Sequence, residues 1–276
     1  MKCVCYNGKL VNEDEPVFTA QNRCFRYGDG LFETIKVVEN KIQLADYHFD
    51  RLFTGLRMLE IQANENFTQK LIAEKIIQLC GVNNCSNLAR VRLAVFRNDV
   101  DTSGYIIEAM PLADDMNHLN EKGFTIEIHP HIRKNCDAFA NLKTANYLPY
   151  VMADLYARVN GLDECLVLNS NNKICDAAKA SVFAISKNKI YTPALHQGCV
   201  NGVMRRFVIN VLKQMGYAVY QTEVNEEILF NADEVFLTNA TYTIRWVKQF
   251  RNIVYTNKST KEIHYRVLQE LSKGIN

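Results

Sequence analysis

The order of apolar and polar positions changes period several times along the chain, and each change predicts an element. Tyr6-Asn7-Gly8-Lys9-Leu10 reads as a strand running into a turn. Leu31 to Val38 alternates and is rich in β-branched residues. Glu39-Asn40-Lys41 then reads as a turn and Ile42-Gln43-Leu44 as a returning strand, so a hairpin is predicted. From Asp46 to Leu59 the period becomes helical, with Phe49, Leu52, Phe53, Leu56 and Leu59 on one side. A further helix is predicted near Phe67 to Cys80, and strands over Ala89 to Phe96 and Tyr105 to Met110. Leu112 to Lys122 is polar and acidic and reads as a linker.

A second block opens with a strand from Phe124 to His129. Asn146 to Asn160 reads as a helix with Tyr150, Val151, Leu155 and Val159 as its apolar side. Glu164 to Leu168 and Ser181 to Ser186 read as strands, with a turn at Lys187-Asn188-Lys189. Val203 to Met215 is a helix with Gly216 as its stop signal. Glu234 to Leu237 reads as a buried strand and Ile263 to Leu271 as a last helix. The predicted organisation is an α+β or α/β protein with a smaller domain over 1–114, a linker over 115–122 and a larger domain over 123–276. A site in the cleft between the two is expected.

Composition narrows the function classes. The 276 residues are 48% apolar, enough for a substantial core. The formal net charge of +2 and the lack of a basic run give no reason to expect nucleic-acid binding. No apolar stretch is long enough to span a bilayer, and Met1 to Gly8 turns polar too soon for a signal peptide. Nine scattered cysteines fit a reducing cytoplasm better than a disulfide framework. His129-Pro130-His131 has no acidic or cysteine partner nearby in sequence and reads as structural, so no metal site is expected.

Several segments carry candidate chemistry. Lys143 lies in a weakly charged stretch, Asn141 to Tyr147, with Tyr147 following at i+4, a helical spacing. A lysine drawn out of water becomes a usable amine nucleophile for a carbonyl. Arg51 opens a helix and offers a planar fork that suits phosphate. Gly198 to Arg205 is a turn feeding a helix, where backbone amides and the helix dipole favour an anion. Thr238-Asn239-Ala240-Thr241 is a polar loop at the end of a strand, a usual place for ligand contacts. Asp176 follows an apolar run and precedes two alanines. Arg90 and Arg92 alternate on one strand face.

In this order the segments resemble the class IV, fold-type IV pyridoxal-phosphate enzymes. That group holds branched-chain aminotransferases, D-amino-acid aminotransferase and 4-amino-4-deoxychorismate lyase. Tyr27-Gly-Asp-Gly-Leu-Phe-Glu33 resembles the N-terminal signature, and His48-Phe-Asp-Arg51-Leu52 the segment whose arginine holds the cofactor phosphate. Asn201 to Arg205 resembles the phosphate turn, and Glu234 to Ala240 the late phosphate-side strand and loop. The resemblance implies pyridoxal 5'-phosphate as cofactor and Lys143 as its Schiff-base lysine and proton carrier. It implies Asp176 at the ring nitrogen and Tyr147 near the ring's phenolic oxygen. Arg51, Gly202, the amides of Val203 and Met204, Thr238, Asn239 and Ala240 would lie around the phosphate. Phe32, Arg92 and Arg97 would face the substrate. A cytoplasmic homodimer acting on a small amino acid or amino-carboxylate is implied, with no nucleic acid or membrane partner.

The sequence departs from that family at three places. Asp176 stands for a glutamate and is one methylene shorter, with Ala177 for a glycine and Ser181 for an asparagine. Ala240 replaces a threonine or serine. The arginine-and-histidine carboxylate trap of D-amino-acid aminotransferase has no counterpart after Arg97, where Asn98-Asp99-Val100-Asp101-Thr102 stands. The implied function is transamination between an amino acid, branched-chain among the options, and a 2-oxo acid. Release of pyruvate from aminodeoxychorismate is the alternative, which the Lys143-x-x-Asn146 spacing favours. A scaffold that has lost catalysis is the third reading.

Overall fold

The computed structural model describes residues 2–99 and 102–273; Val100 and Asp101, within the stretch that replaces the carboxylate trap, lie outside them. The chain forms two compact units, residues 2–114 with 142–147, and residues 115–141 with 148–273.

The first unit is built on β1 (Cys3–Tyr6), β2 (Lys9–Asn12), α1 (Arg23–Tyr27), β3 (Gly30–Val38), β4 (Lys41–Ile42), α2 (Ala45–Met58), α3 (Gln69–Val82), β5 (Leu88–Asp99) and β6 (Thr102–Pro111). Its six strands run in the order β2-β1-β6-β5-β3-β4, all antiparallel. Alternation sorts β3 into two faces. Leu31, Ile35 and Val37 enter the core beneath α2 and α3. Phe32, Thr34 and Lys36 point to the other side of the sheet. The helix α2 can press onto β3 because residue 55 is glycine: a Cβ there would lie 2.7 Å from Leu31 Cδ1. The core joins Phe49, Leu52 and Leu56 of α2 to Ile72, Ile76 and Leu79 of α3.

The second unit contains β7 (Phe124–Lys134), α4 (Leu148–Val159), β8 (Glu164–Asn169), β9 (Ile174–Ala177), β10 (Ser181–Ser186), β11 (Lys189–Pro193), α5 (Val203–Gln214), β12 (Ala218–Thr222), α6 (Glu226–Phe230), β13 (Glu234–Asn239), β14 (Thr243–Phe250), β15 (Ile253–Val254) and α7 (Lys258–Lys273). Its sheet is mixed, in the order β12-β11-β10-β13-β14-β7-β8-β9, with β15 paired to β14. The core is drawn from the same sheet face by residues such as Ile126, Leu166, Val182, Val235 and Val247. Residues before β7 lie on this unit: the buried Arg245 donates to the carbonyl of His118, and Asn120 accepts from the Trp246 amide at 2.9 Å.

The fold differs from the sequence expectations in four places. Residues 143–145 pair with the edge of β3, the Tyr147 amide then turns back to the Ala145 carbonyl at 2.8 Å, and α4 starts only at Leu148. On α4 the buried residues are Tyr150, Ala153 and Ala157, while Val151, Leu155 and Val159 are exposed. The small alanines let the helix lie against β7 and β8, so the strongest apolar stripe faces outward. The strand β7 runs on through His129 and His131 to Lys134. His129 Nδ1 accepts the His131 and Ile132 amides at 3.2 and 3.1 Å where the register shifts. Finally, β14 escapes the alternation rule because Arg245 and Lys248 interrupt its apolar run, yet it lies between β13 and β7.

Candidate active site

Lys143 is placed by backbone pairing. The Phe32 amide donates to the Lys143 carbonyl at 2.9 Å, and the Ala145 amide donates to the Gly30 carbonyl at 2.9 Å. The segment thus extends the free edge of β3. Alternation sends Leu142 into the core of the first unit, close to Gly55. Lys143 lies on the opposite face, with its amine 4.4 Å from the centre of the Phe32 ring and 5.1 Å from that of Tyr147. The two rings meet edge to face at 5.2 Å. Lys143 and Tyr147 thus meet without a helix, after the chain turns at Ala145, whose carbonyl accepts the Tyr147 amide at 2.8 Å. The lysine is half-buried against aromatic surface.

Arg92 comes to the same place from β5. Its guanidinium lies 4.0 Å from the Phe32 ring centre, and its Nε is 3.6 Å from Glu108. Burial pulls its pKa down and Glu108 pushes it back up. Arg97 is differently employed. It donates to Asp29 at 3.1 Å and to the carbonyls of Glu60 and Leu59 at 2.9 and 2.6 Å, fastening the end of α2. This favours a structural role for Arg97 over a substrate contact.

Arg51 is buried at the core-side face of β3, where it meets Glu33. Its Nε donates to Glu33 Oε1 at 2.7 Å and its Nη2 to Oε2 at 2.5 Å, a bidentate pair. His48 Nδ1 adds a third contact to Glu33 at 2.6 Å. Burial pushes the Glu33 carboxyl up, but Arg51 and His48 outweigh it and hold it at about 2. Burial draws the His48 pKa down, against the pull of Glu33 and with that of Arg51 and Lys143. His48 Nε2 is buried with no hydrogen-bond partner among the described residues.

The second unit presents Asp176 on β9, 2% exposed. Its Oδ2 accepts from Tyr150 Oη at 2.6 Å and from the Val200 amide at 3.0 Å. Lys134 Nζ lies 3.5 Å from the same oxygen. Burial raises the pKa of Asp176, and Lys134, Tyr150 and Val200 oppose it without reversing the direction.

The turn before α5 is built by Asn141. Its side chain donates to the carbonyls of Leu195 and Cys199 at 2.8 and 2.6 Å, and its own carbonyl accepts from the Asn201 amide at 2.9 Å. Gly202 is the N-cap of α5, and no side chain caps the helix. A Cβ at 202 would stand 2.9 Å from Ser181 Oγ, so glycine lets this turn meet the start of β10 without moving that hydroxyl. The first amides of α5, those of Val203 and Met204, are therefore left for an anion. At the end of β13, Thr238 donates to the Thr243 carbonyl. Asn239 accepts the Thr241 and Tyr242 amides at 2.9 and 3.0 Å and donates to the Lys179 carbonyl at 3.0 Å. These two side chains shape the turn that carries Ala240. In the first unit an amine stands over aromatic rings; the second unit by itself presents a buried acid and an uncapped helix start.

Comparison with known proteins gives the family. The sequence profile of the family Amino-transferase class IV matches residues 30–250. The chain belongs to the class IV aminotransferase family. A putative branched-chain-amino-acid aminotransferase of Methanocaldococcus jannaschii is 26% identical, over 98% of this chain and 94% of that relative. The aminodeoxychorismate lyase of Bacillus subtilis is 25% identical, over 92% of this chain and 88% of the relative. Among solved structures, the branched-chain aminotransferase of Thermoproteus uzoniensis with norvaline superposes with a TM-score of 0.88 at 21% identity, covering 98% of this chain and 94% of that one. A putative 4-amino-4-deoxychorismate lyase of Legionella pneumophila gives 0.83 at 24% identity, covering 94% and 97%. These likenesses fix the fold as fold-type IV. This member of the class IV family is accordingly an enzyme of a pyridoxal-phosphate-dependent family.

Four residues that matter to the geometry of the candidate site went unassigned in sequence: Glu33, His48, Lys134 and Tyr150. Glu33 had a signal, a lone acid within the apolar run of β3, matched by His48 and Arg51 at i and i+3 on α2. Tyr150 and Lys134 had none, since each reaches Asp176 only through the fold.

Proposed function

We propose that this enzyme moves an amino group from an amino acid to a 2-oxo acid, with Lys143 as the covalent anchor of pyridoxal phosphate. The observation that carries the reading is the crowding of one ring. Phe32 has the Lys143 amine at 4.4 Å and the Arg92 guanidinium at 4.0 Å. An amine for the carbonyl chemistry thus stands beside a cation able to take a substrate carboxylate.

Bound pyridoxal phosphate would supply the electron sink for loss of an α-proton. Asp176 would face the ring nitrogen, and Tyr147 the phenolic oxygen. The amides of Val203 and Met204, the Ala240 turn and Arg51 would take the phosphate. Gly202, Thr238 and Asn239 give that site its shape. Once displaced by substrate, the Lys143 amine would take the α-proton and return it. Phe32 and Tyr147 offer apolar surface to the substrate side chain, which supports small or branched aliphatic amino acids. All nine cysteines are free, which supports a cytoplasmic setting. No helix among the described residues is long and apolar enough to cross a membrane. A homodimer is part of the reading: Leu148, Val151, Leu155 and Val159 leave an apolar stripe on α4, 50–77% exposed, for a second copy to cover. In that case Leu155→Asp lowers the mass in light scattering from dimer to monomer; a monomeric unmutated chain removes the partner.

The test is direct. Protein incubated with pyridoxal phosphate and reduced with borohydride carries the cofactor mass on the peptide containing Lys143, and Lys143→Ala loses it together with all turnover. An adduct on another lysine, or none, defeats the assignment. A screen of amino donors against 2-oxo acids then reads the reaction. Pyruvate from aminodeoxychorismate with no amino transfer would move the enzyme to the lyase branch, to which the Bacillus subtilis relative is assigned by name.

A further inference from the structure

The Asp176 carboxylate is held in a way that its assigned role does not require. Three groups from three elements converge on Oδ2: Tyr150 Oη of α4 at 2.6 Å, the Val200 amide of the turn before α5 at 3.0 Å, and Lys134 Nζ of β7 at 3.5 Å. Oδ1 accepts none of these contacts. Lys134 is itself fixed, donating to the Ala140 carbonyl at 2.7 Å and lying 5.2 Å from the Tyr150 ring centre. Tyr150 is 5% exposed and the Lys134 side chain 12%, so neither group is there to meet water.

We infer that Tyr150 and Lys134 are positioning residues that clamp one oxygen of Asp176, keep the carboxylate ionised, and commit Oδ1 to the cofactor's ring nitrogen. This rests on the cofactor reading given above. The chemistry follows from a shared proton. Between an acid and a pyridine nitrogen, the proton lies on the nitrogen when the carboxylate anion is the better stabilised partner. A phenol O–H, a backbone N–H and an ammonium all stabilise the anion. Removing them moves the proton to the carboxyl and leaves a neutral pyridine, a weaker electron sink. An aspartate, one methylene shorter than glutamate, has fewer rotamers with which to seek its own partner. The clamp replaces that search with a fixed position.

The decisive measurement is the nitrogen chemical shift of 15N-labelled pyridoxal phosphate bound to the full chain. We expect a pyridinium signal in the unmutated protein. Tyr150→Phe and Lys134→Met each move it toward neutral pyridine, and the double variant completes the change. Lys134→Arg keeps the charge and keeps the pyridinium signal. The value of kcat falls about tenfold to a hundredfold in the first two variants, the size usual when the group orienting a liganding side chain is lost, while KM stays within about twofold. A signal that remains pyridinium in both Tyr150→Phe and Lys134→Met overturns the clamp. A protein with no borohydride-trapped adduct on Lys143 overturns the cofactor reading first, and the inference with it. The phenylalanine variant keeps the shape of the tyrosine, and far-UV circular dichroism of each variant separates misfolding from loss of the clamp.

Discussion

Two acids, one in each unit, are buried to the same degree and treated in opposite ways. Glu33 is 1% exposed and Asp176 2%, so removal from water acts on both alike. Glu33 meets a bidentate guanidinium and an imidazole, and its carboxyl is held at about 2. Asp176 meets a phenol, an amide and an ammonium at 3.5 Å that also serves a carbonyl, and its pKa stays raised. The difference lies in the geometry of the cation. A planar fork that matches a carboxylate at two points offsets burial; a single ammonium at the edge of contact does not. Glu33 is therefore a permanent anion that fixes Arg51 between strand and helix. Asp176 is a less firmly held anion, which in the cofactor reading leaves Oδ1 for the ring nitrogen.

Substitution separates the two roles. Asp176→Asn removes the anion and leaves the shape, so kcat drops by roughly 10²–10⁴-fold. The melting temperature falls only slightly, because the asparagine oxygen can still accept from Tyr150 and Val200 and Lys134 keeps the Ala140 carbonyl. Steady-state rates and a thermal melt on one preparation check both halves; full activity in the asparagine protein would refute the role of Asp176. Glu33→Gln reverses the pattern. It strands a buried guanidinium, at a cost of about 3–5 kcal/mol in urea unfolding. The pH dependence has a definite sign. The native carboxyl at about 2 lies below its ordinary value of 4.5. The pair thus stabilises the fold fully above the ordinary range and loses that contribution as pH falls through about 2. The glutamine variant lacks this acid-side loss, and its stability curve converges on that of the unmutated chain at low pH. Parallel curves would contradict the assignment of Glu33 as a depressed acid.

Most of the scaffold was legible because period reveals burial wherever one face of an element is wet. The hairpin from Leu31, the helices after Asp46 and Val203, and the strand at Ser181 all obey that rule. It failed where burial has another source. Residues 143–147 look helical by spacing, but the edge of β3 captures the backbone of 143–145. On α4 the apolar stripe is turned away from the helix's own sheet, and two alanines do the packing. Candidate site residues could be named from sequence where chemistry sits in short segments, as at Lys143, Arg51 and the turn into α5. It was illegible where partners converge from distant parts of the chain. Nothing in the sequence joins Lys134, Tyr150 and Val200 to one oxygen of Asp176, because that meeting is made by β7, α4 and β9 packing together.

A third buried acid sharpens the contrast between the first two. Glu164, at the start of β8, is 2% exposed, and its carboxylate accepts the Cys165 amide at 3.1 Å. Lys179 acts on it only from a distance, since that amine is paired with Asp154 at 2.5 Å. Burial raises Glu164 to about 7, with the amides of Cys165 and Ala178 and the charge of Lys179 opposing, and Asp154 reinforcing. The three acids thus form a series in which the partner weakens from guanidinium to ammonium to amide while burial is constant. The folded state holds the Glu164 proton at pH values where the unfolded chain, near 4.5, has released it. Stability therefore falls as pH rises from about 4.5 to about 7, by up to about 1.4 kcal/mol per pH unit for one proton. Glu164→Gln keeps the neutral shape and removes that slope. The variant should match the unmutated chain near pH 4.5 and exceed its stability above pH 7, read by urea midpoints across the range. Every other titrating group is common to both proteins, so the difference between the curves isolates Glu164. A difference that does not grow with pH would show that the weakest partner in the series already suffices to ionise a buried acid.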